Sequence, residues 1–131
     1  MRNTIKTGMC AEIEFRVENE HTISFLEADM PAVLSTPSLI WFLEHAAIEV
    51  LKPVLEAGEV SVGTNVEIQH LAPTPAGCTV TCRARVVQAD GQAVSFHVEA
   101  HDSHELIARG YHQRRIVRAG SIAKRVLAKK L

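Results

Sequence analysis

The stretch Leu34-Ser35-Thr36-Pro37-Ser38-Leu39-Ile40-Trp41-Phe42-Leu43-Glu44-His45-Ala46-Ala47-Ile48-Glu49-Val50-Leu51 decides the fold. A hydroxyl residue ahead of a proline marks a helix start, because the hydroxyl accepts an orphan N–H and the fixed φ of proline suits the first helical position. The spacing predicts a helix over residues 37–55, weakened in its last turn by Lys52-Pro53 and ended by Gly58. Leu39, Ile40, Trp41, Phe42, Leu43, Ala46, Ala47, Ile48, Val50 and Leu51 make it apolar almost all round. Such a helix is buried by its surroundings.

Those surroundings read as strands. Upstream, Ala11, Ile13, Phe15 and Val17 alternate with Glu12, Glu14, Arg16 and Glu18, the pattern of a half-buried strand. A polar, irregular stretch separates it from the helix. Downstream, strands are predicted over 62–71, 78–88, 93–101 and 106–117. Their connections are short: Pro73-Thr74-Pro75-Ala76-Gly77, the hairpin signal Asp90-Gly91, and Asp102-Ser103-His104. Residues 121–131 read as a short basic C-terminal helix. One strand, one long helix and four antiparallel strands describe a single α+β domain over residues 1–131. Its sheet of about five strands wraps one central helix, the hot-dog arrangement. An edge strand and part of the helix stay uncovered in such a unit, and a homodimer would cover both.

At 131 residues with 47% hydrophobic and 22% charged content, the chain has an ordinary globular composition rather than a disordered one. No apolar run approaches the roughly 20 residues of a spanning helix, and Met1-Arg2-Asn3-Thr4-Ile5-Lys6 lacks the apolar stretch of a secretory signal. The expectation is a cytoplasmic protein without membrane contact. Net charge is −1, which gives no global pull towards nucleic acid. From residue 109 onward, however, there are eight basic residues and no acidic one, a bias suited to a phosphate-bearing ligand or to a solvated tail. The three cysteines, Cys10, Cys78 and Cys82, read as reduced thiols, and Cys78 and Cys82 as small core residues. His97, Glu99 and His101 share a wet strand face, and no metal site is expected there.

Three residues stand out for chemistry. Glu44 has only apolar helical neighbours at Ile40, Trp41, Ala47 and Ile48, so its carboxylate is expected in a poorly hydrated place, serving chemistry, or else bonding a backbone donor or reaching solvent at a dimer seam. His70 follows Ile68 and Val66 on a face expected to include Val62 and Thr64 and to look at the helix, where it could meet Glu44. Thr36 lies at the helix mouth. It is a cap candidate, and its place beside free N–H groups and the positive dipole end also suits an oxyanion.

These residues carry a resemblance. Ser35-Thr36-Pro37, Leu43-Glu44-His45-Ala46, Glu56-Ala57-Gly58-Glu59, Val62-Gly63-Thr64 and His70-Leu71-Ala72-Pro73-Thr74-Pro75-Ala76-Gly77 are similar to the fluoroacetyl-CoA thioesterase-like branch of the hot-dog thioesterases. The match covers about residues 34 to 80, with looser similarity through His112-Gln113-Arg114. The resemblance implies a catalytic set of a threonine, a glutamate eight residues later and a histidine 26 residues beyond, which fall on Thr36, Glu44 and His70. It also implies a site-lining glycine at Gly63. Two departures bear on specificity. The fluoroacetyl specialists carry aromatic residues just before the helix, whereas Glu27-Ala28-Asp29-Met30-Pro31-Ala32-Val33 has none. The family's tryptophan after the glutamate is His45 here, while Trp41 lies earlier on the helix. A small or medium acyl group other than fluoroacetyl is therefore the expected substrate.

The implied reaction is hydrolysis of an acyl-CoA thioester without cofactor. Thr36 would stabilise the oxyanion and His70 would act as base and then acid. Glu44 would orient His70, or instead act as nucleophile or as base for water. Arg114, Arg115 and Arg118 would meet the CoA phosphates. The rival reading is a non-catalytic acyl-CoA or small-ligand binding hot-dog protein. Hydratase chemistry needs an Asp-x4-His pattern, which Asp102 and His104 do not fit.

Overall fold

The central helix, α1, runs over Thr36–Leu51 in a computed structural model that describes residues 4–27 and 29–129. It begins one residue before Pro37 because Ser35 is the N-cap, with extended φ −77 and ψ 150 and a side chain that accepts the Ser38 N–H. It ends at Leu51 rather than Leu55. Pro53 lacks an N–H and crowds the preceding turn, so the chain tightens into a 3-10 turn at Lys52–Val54.

Around α1 lie β1 (Cys10–Arg16), β4 (Glu59–His70), β5 (Thr79–Asp90), β6 (Ala93–His101) and β7 (Leu106–Arg118), all antiparallel in the order β1-β5-β6-β7-β4. The five-stranded sheet and single long helix are those the sequence predicts. The irregular stretch before α1 contains a pairing that the sequence does not announce: β2 (Thr22–Ile23) lies against β3 (Val33–Leu34). A C-terminal helix, α2 (Ala119–Ala128), follows β7 with none of its residues buried. Lys130 and Leu131, the end of the helix predicted over 121–131, lie outside the described residues.

One side of α1 makes the core. Leu39, Leu43, Ala46, Ala47, Val50 and Leu51 are buried against β5 and β6, whose inward residues include Val80, Cys82, Ala84, Val86, Val94, Phe96 and Val98. Each large apolar side chain so placed contributes about 1.5–3 kcal/mol. Burial pushes the Cys82 thiol up to about 12, which makes it an inert core residue, while Cys10 is exposed. The opposite stripe of the helix is open, with Trp41 53% exposed and Ile40, Glu44 and Ile48 half-buried. The sheet thus covers one face of a helix that the sequence predicts to be covered all round.

The outer face of the sheet carries a row of alternating charge. Glu12 lies across from Arg83, Arg83 from Glu99 and Glu99 from Arg109. Opposite charges set directly across strands favour this register on a wet face that offers little apolar burial.

Strand β4 departs from the predicted alternation. Gly63 lies across from Arg114 and Asn65 across from Gln113, so Thr64 is an extra residue and the pairing shifts there. A bulge of this kind reverses which parity faces inward. Val66, Ile68 and His70 share the inner register with His112, Gly110 and Ala108, as predicted. Before the bulge, the inner register passes to Ser61 and Gly63 rather than to Val62 and Thr64.

Close contact between β4 and β7 depends on Gly110. A Cβ there would lie 1.9 Å from the Glu67 carbonyl oxygen, a backbone atom that cannot move aside without breaking the pairing. Gly110→Ala is therefore expected to cost about 3 kcal/mol and to lower Tm by roughly 10 °C. A thermal melt within a few degrees of wild type would contradict this contact.

Candidate active site

The site begins at the start of α1. The Leu34 N–H donates to the Thr74 carbonyl at 2.8 Å, and the Ser35 N–H donates to the His21 carbonyl at 2.8 Å, which clamps the chain just before the helix. Thr74 is itself fixed, buried with its hydroxyl donating to Asp102 Oδ2 at 3.0 Å. Because Ser35 caps the helix, the Thr36 hydroxyl is not needed for capping. It lies 2.8 Å from His70 Nδ1. His70 is the last residue of β4, and the next residue, Leu71, ties that strand end to β7 by donating its N–H to the Ile107 carbonyl at 2.7 Å.

The Thr36–His70 pair lines an open pocket of about 450 Å³. Its apolar walls include Ile23, Phe25, Val33, Leu34, Leu71 and Ala72. Phe25 is half exposed there. Residues 27–33 hold no aromatic side chain, and Phe25 lies just upstream of them. The pairing of β2 with β3 brings it back beside Thr36, a long-range arrangement that no local pattern announces. A wider depression of about 580 Å³ on the outer sheet face, lined by His97, Arg109 and Tyr111, contains none of the three candidate catalytic residues.

The His70 imidazole sits in a poorly hydrated place. Burial lowers its imidazole below the ordinary value, partly offset by the backbone of Ala72. Its Nε2 is buried and has no hydrogen-bond partner among the described residues. One ring nitrogen is thus held by the Thr36 hydroxyl, while the other is buried with no partner at hydrogen-bond geometry among the described residues.

Glu44 belongs to a second cluster. Two helical turns separate it from Thr36, about 12 Å along the axis. Its Oε2 accepts from Arg114 Nη1 at 3.2 Å and lies 4.0 Å from His112 Nε2. Arg114 also donates from Nε to Ser61 Oγ at 3.0 Å and from Nη2 to the Ser61 carbonyl at 2.9 Å. The meeting of Glu44 with His70 expected from the sequence does not occur within this chain, because the carboxylate is held by Arg114 at the other end of β4.

Gly63 makes room for that carboxylate. A Cβ at this position would lie 2.8 Å from Glu44 Oε2, with Arg114 Nη1 and His112 Cε1 each at 3.3 Å. Within the chain, the side-chain space over Gly63 is thus filled by Glu44. Arg114, expected to reach a phosphate, is only 5% exposed and turns inward. Burial lowers its guanidinium from the ordinary value while Glu44 opposes the shift. Arg115 and Arg118 are exposed. Sequence reasoning missed Ser61 as the anchor of Arg114 and His112 as its neighbour. The available signal was the odd spacing between Gly63 and His70, which forbids a common face in a regular strand.

Gly63→Ala is expected to fold with a Tm lowered by only a few degrees, since the nearest atom is the end of the Glu44 side chain but its displacement weakens the pairing with buried Arg114. It should lower kcat by about tenfold or more by moving the carboxylate; wild-type kcat in the folded variant would disconnect Glu44 placement from turnover. The buried imidazoles also set a pH response. His112, like His70, is lowered by burial, with Arg114 adding to the effect and the Asn65 carbonyl and Glu44 opposing it. As pH falls, the unfolded chain takes up these protons first. The stability from keeping them neutral is present above about 6.5 and is lost as pH drops through the lowered folded values. Tm should therefore fall between about pH 7 and about pH 5, and a flat Tm across that interval would contradict the neutral assignment.

Comparison with known proteins agrees with this architecture. The family described as fluoroacetyl-CoA-specific thioesterase matches residues 17–120. The fluoroacetyl-CoA thioesterase of Streptantibioticus cattleyicolor is 34% identical over 123 residues, covering 89% of this chain and 88% of that protein. A solved structure of the fluoroacetyl-CoA thioesterase FlK superposes with a TM-score of 0.90 at 30% identity, covering 98% of this chain and 100% of the other. A thioesterase superfamily member from Thermus thermophilus gives 0.88 at 30% identity, with 98% and 94% coverage. With residues 17–120 matched by the family and a relative 34% identical over 89% of its length, the chain belongs to the fluoroacetyl-CoA-specific thioesterase family.

Proposed function

We propose that this chain hydrolyses acyl-CoA thioesters with a small or medium acyl group, working as a homodimer in the cytoplasm. The observation that carries the reading is the 2.8 Å contact of Thr36 with His70 Nδ1, beside a buried and unpartnered Nε2, at an apolar-walled pocket. The thioester carbonyl lies at the mouth of α1, where the Thr36 hydroxyl and the positive end of the helix stabilise charge gathering on its oxygen. His70 takes a proton from water as the water oxygen bonds to the carbonyl carbon. The C–S bond then breaks, and the proton passes to the departing thiolate. The walls formed by Ile23, Phe25 and Leu71 accept the acyl group. Arg115 and Arg118 serve the CoA phosphates, and Arg114 does not.

Glu44 enters through the second subunit. β4 is an edge strand, and antiparallel pairing of two β4 edges carries the His70 end of one strand alongside the Gly63 end of the other. The open stripe of α1 at Ile40, Trp41 and Glu44 is covered by the same contact. Each site then combines Thr36 and His70 of one protomer with Glu44 of the partner subunit, whose carboxylate polarises the attacking water or the imidazole. No helix among the described residues is long and apolar enough to cross a membrane.

The test is thiol release from a panel of short, branched and aromatic acyl-CoAs. His70→Ala and Glu44→Ala, each folded, should lower kcat by about 100-fold or more. Mixing the two inactive variants should restore about one quarter of wild-type activity, because half of the dimers are mixed and each mixed dimer carries one complete site. Raised salt should increase KM if Arg115 and Arg118 hold phosphates. Acyl-CoA binding without turnover of any panel member would favour the binding-protein reading, and no recovery on mixing would remove the shared site.

A further inference from the structure

His112 is 2% exposed on β7, and its two hydrogen-bond neighbours select one tautomer of the neutral ring. Its Nδ1 lies 2.8 Å from the Asn65 carbonyl oxygen, an acceptor, so Nδ1 carries the proton. Its Nε2 lies 3.2 Å from Arg114 Nη1, a group that can only donate, so Nε2 presents its lone pair. A proton on Nε2 would set two donors and two cations against each other at that distance. The carboxylate of Glu44 on α1, 4.0 Å from Nε2, is the only other charged group in contact among the described residues, and the Phe96 ring of β6 covers the imidazole with centroids 6.3 Å apart.

We propose that His112 is a positioning residue: as a neutral imidazole protonated on Nδ1, it accepts from Arg114 Nη1 and so aims that guanidinium at Glu44, fixing the carboxylate over Gly63. Ser61 holds Nε and Nη2 of Arg114 from the far side. Among the described residues Glu44 Oε2 and His112 Nε2 are the two acceptors of Nη1, one for each of its N–H groups, and Glu44, 35% exposed at its side chain, has no other hydrogen-bond donor there. The bulge at Thr64 contributes directly, since Asn65, the first residue after it, supplies the carbonyl that selects the tautomer. The kinetic part of this inference rests on the proposed role of Glu44 in thioester hydrolysis.

The experiment compares His112→Leu with His112→Gln in the full chain and records the ring nitrogens of wild-type protein carrying 15N-histidine. His112→Leu should lower kcat by about tenfold or more while leaving KM near wild type, because what is lost is aim rather than substrate contact. His112→Gln, whose amide oxygen can accept from Arg114, should recover most of the loss. The wild-type spectrum should report a neutral His112 protonated on Nδ1 from about pH 6 to about pH 8. The proposal is overturned by wild-type kcat in folded His112→Leu, by equal impairment of two folded variants, or by an imidazolium or Nε2–H form at neutral pH. If neither variant folds, the spectrum alone decides. A wild type that turns over no acyl-CoA defeats the thioesterase reading, and the spectrum still decides the protonation state of His112.

Discussion

Residues seven apart on a regular strand face opposite ways, and β4 has to present both Gly63 and His70 to the same side. The insertion of Thr64 removes the conflict. One extra residue lets Ser61 and Gly63 share the inner register with Val66, Ile68 and His70, so a single edge strand supports polar groups near both of its ends. With no bulge, either His70 would face solvent or the Glu44 carboxylate would meet the side of strand residues rather than the gap over a glycine. Gly110 completes the arrangement by letting β7 lie close enough to hold the strand after its shift.

On this strand two polar systems are built by different physics. Thr36 and His70 sit at a partly open pocket, where loss of hydration keeps the imidazole neutral and one ring nitrogen remains unpartnered. Arg114, Glu44, Ser61 and His112 form a denser network in which the donors of a buried guanidinium are matched to a carboxylate, a hydroxyl, a carbonyl and an imidazole lone pair. Breaking one member of such a network leaves a buried charge without compensation, so it is rigid by necessity. The first system leaves a neutral ring beside a hydroxyl at the pocket. The second holds a charge still.

Much of the architecture was legible because it rests on periodic patterns. Apolar spacing revealed α1, alternation revealed β1 and β6, and Asp90-Gly91 revealed the hairpin between β5 and β6, where Gly91 takes φ +62. What escaped is long-range. The two-residue strands β2 and β3 are too short to carry a period, and they are what returns Phe25 to the pocket. The bulge was hidden because Val62, Thr64, Val66 and Ile68 alternate well enough to suggest a regular strand. Arg114 appeared as one cation in a basic run, and only its register opposite Gly63 separates it from the exposed Arg115. Thr36, Glu44 and His70 were singled out by their places on the helix and strand and by the spacing the resemblance implies, while the distance between Glu44 and His70 in a single chain was not contained in that spacing.

The helix start carries two adjacent hydroxyls with separate tasks: Ser35 satisfies the first turn, and Thr36 faces His70. Usually a residue at a helix mouth serves backbone and chemistry together, and any change to it alters both. Here the two are uncoupled. A change at position 36 therefore carries no capping penalty, so the polarity of the pocket can be redesigned there while the helix start stays capped by Ser35.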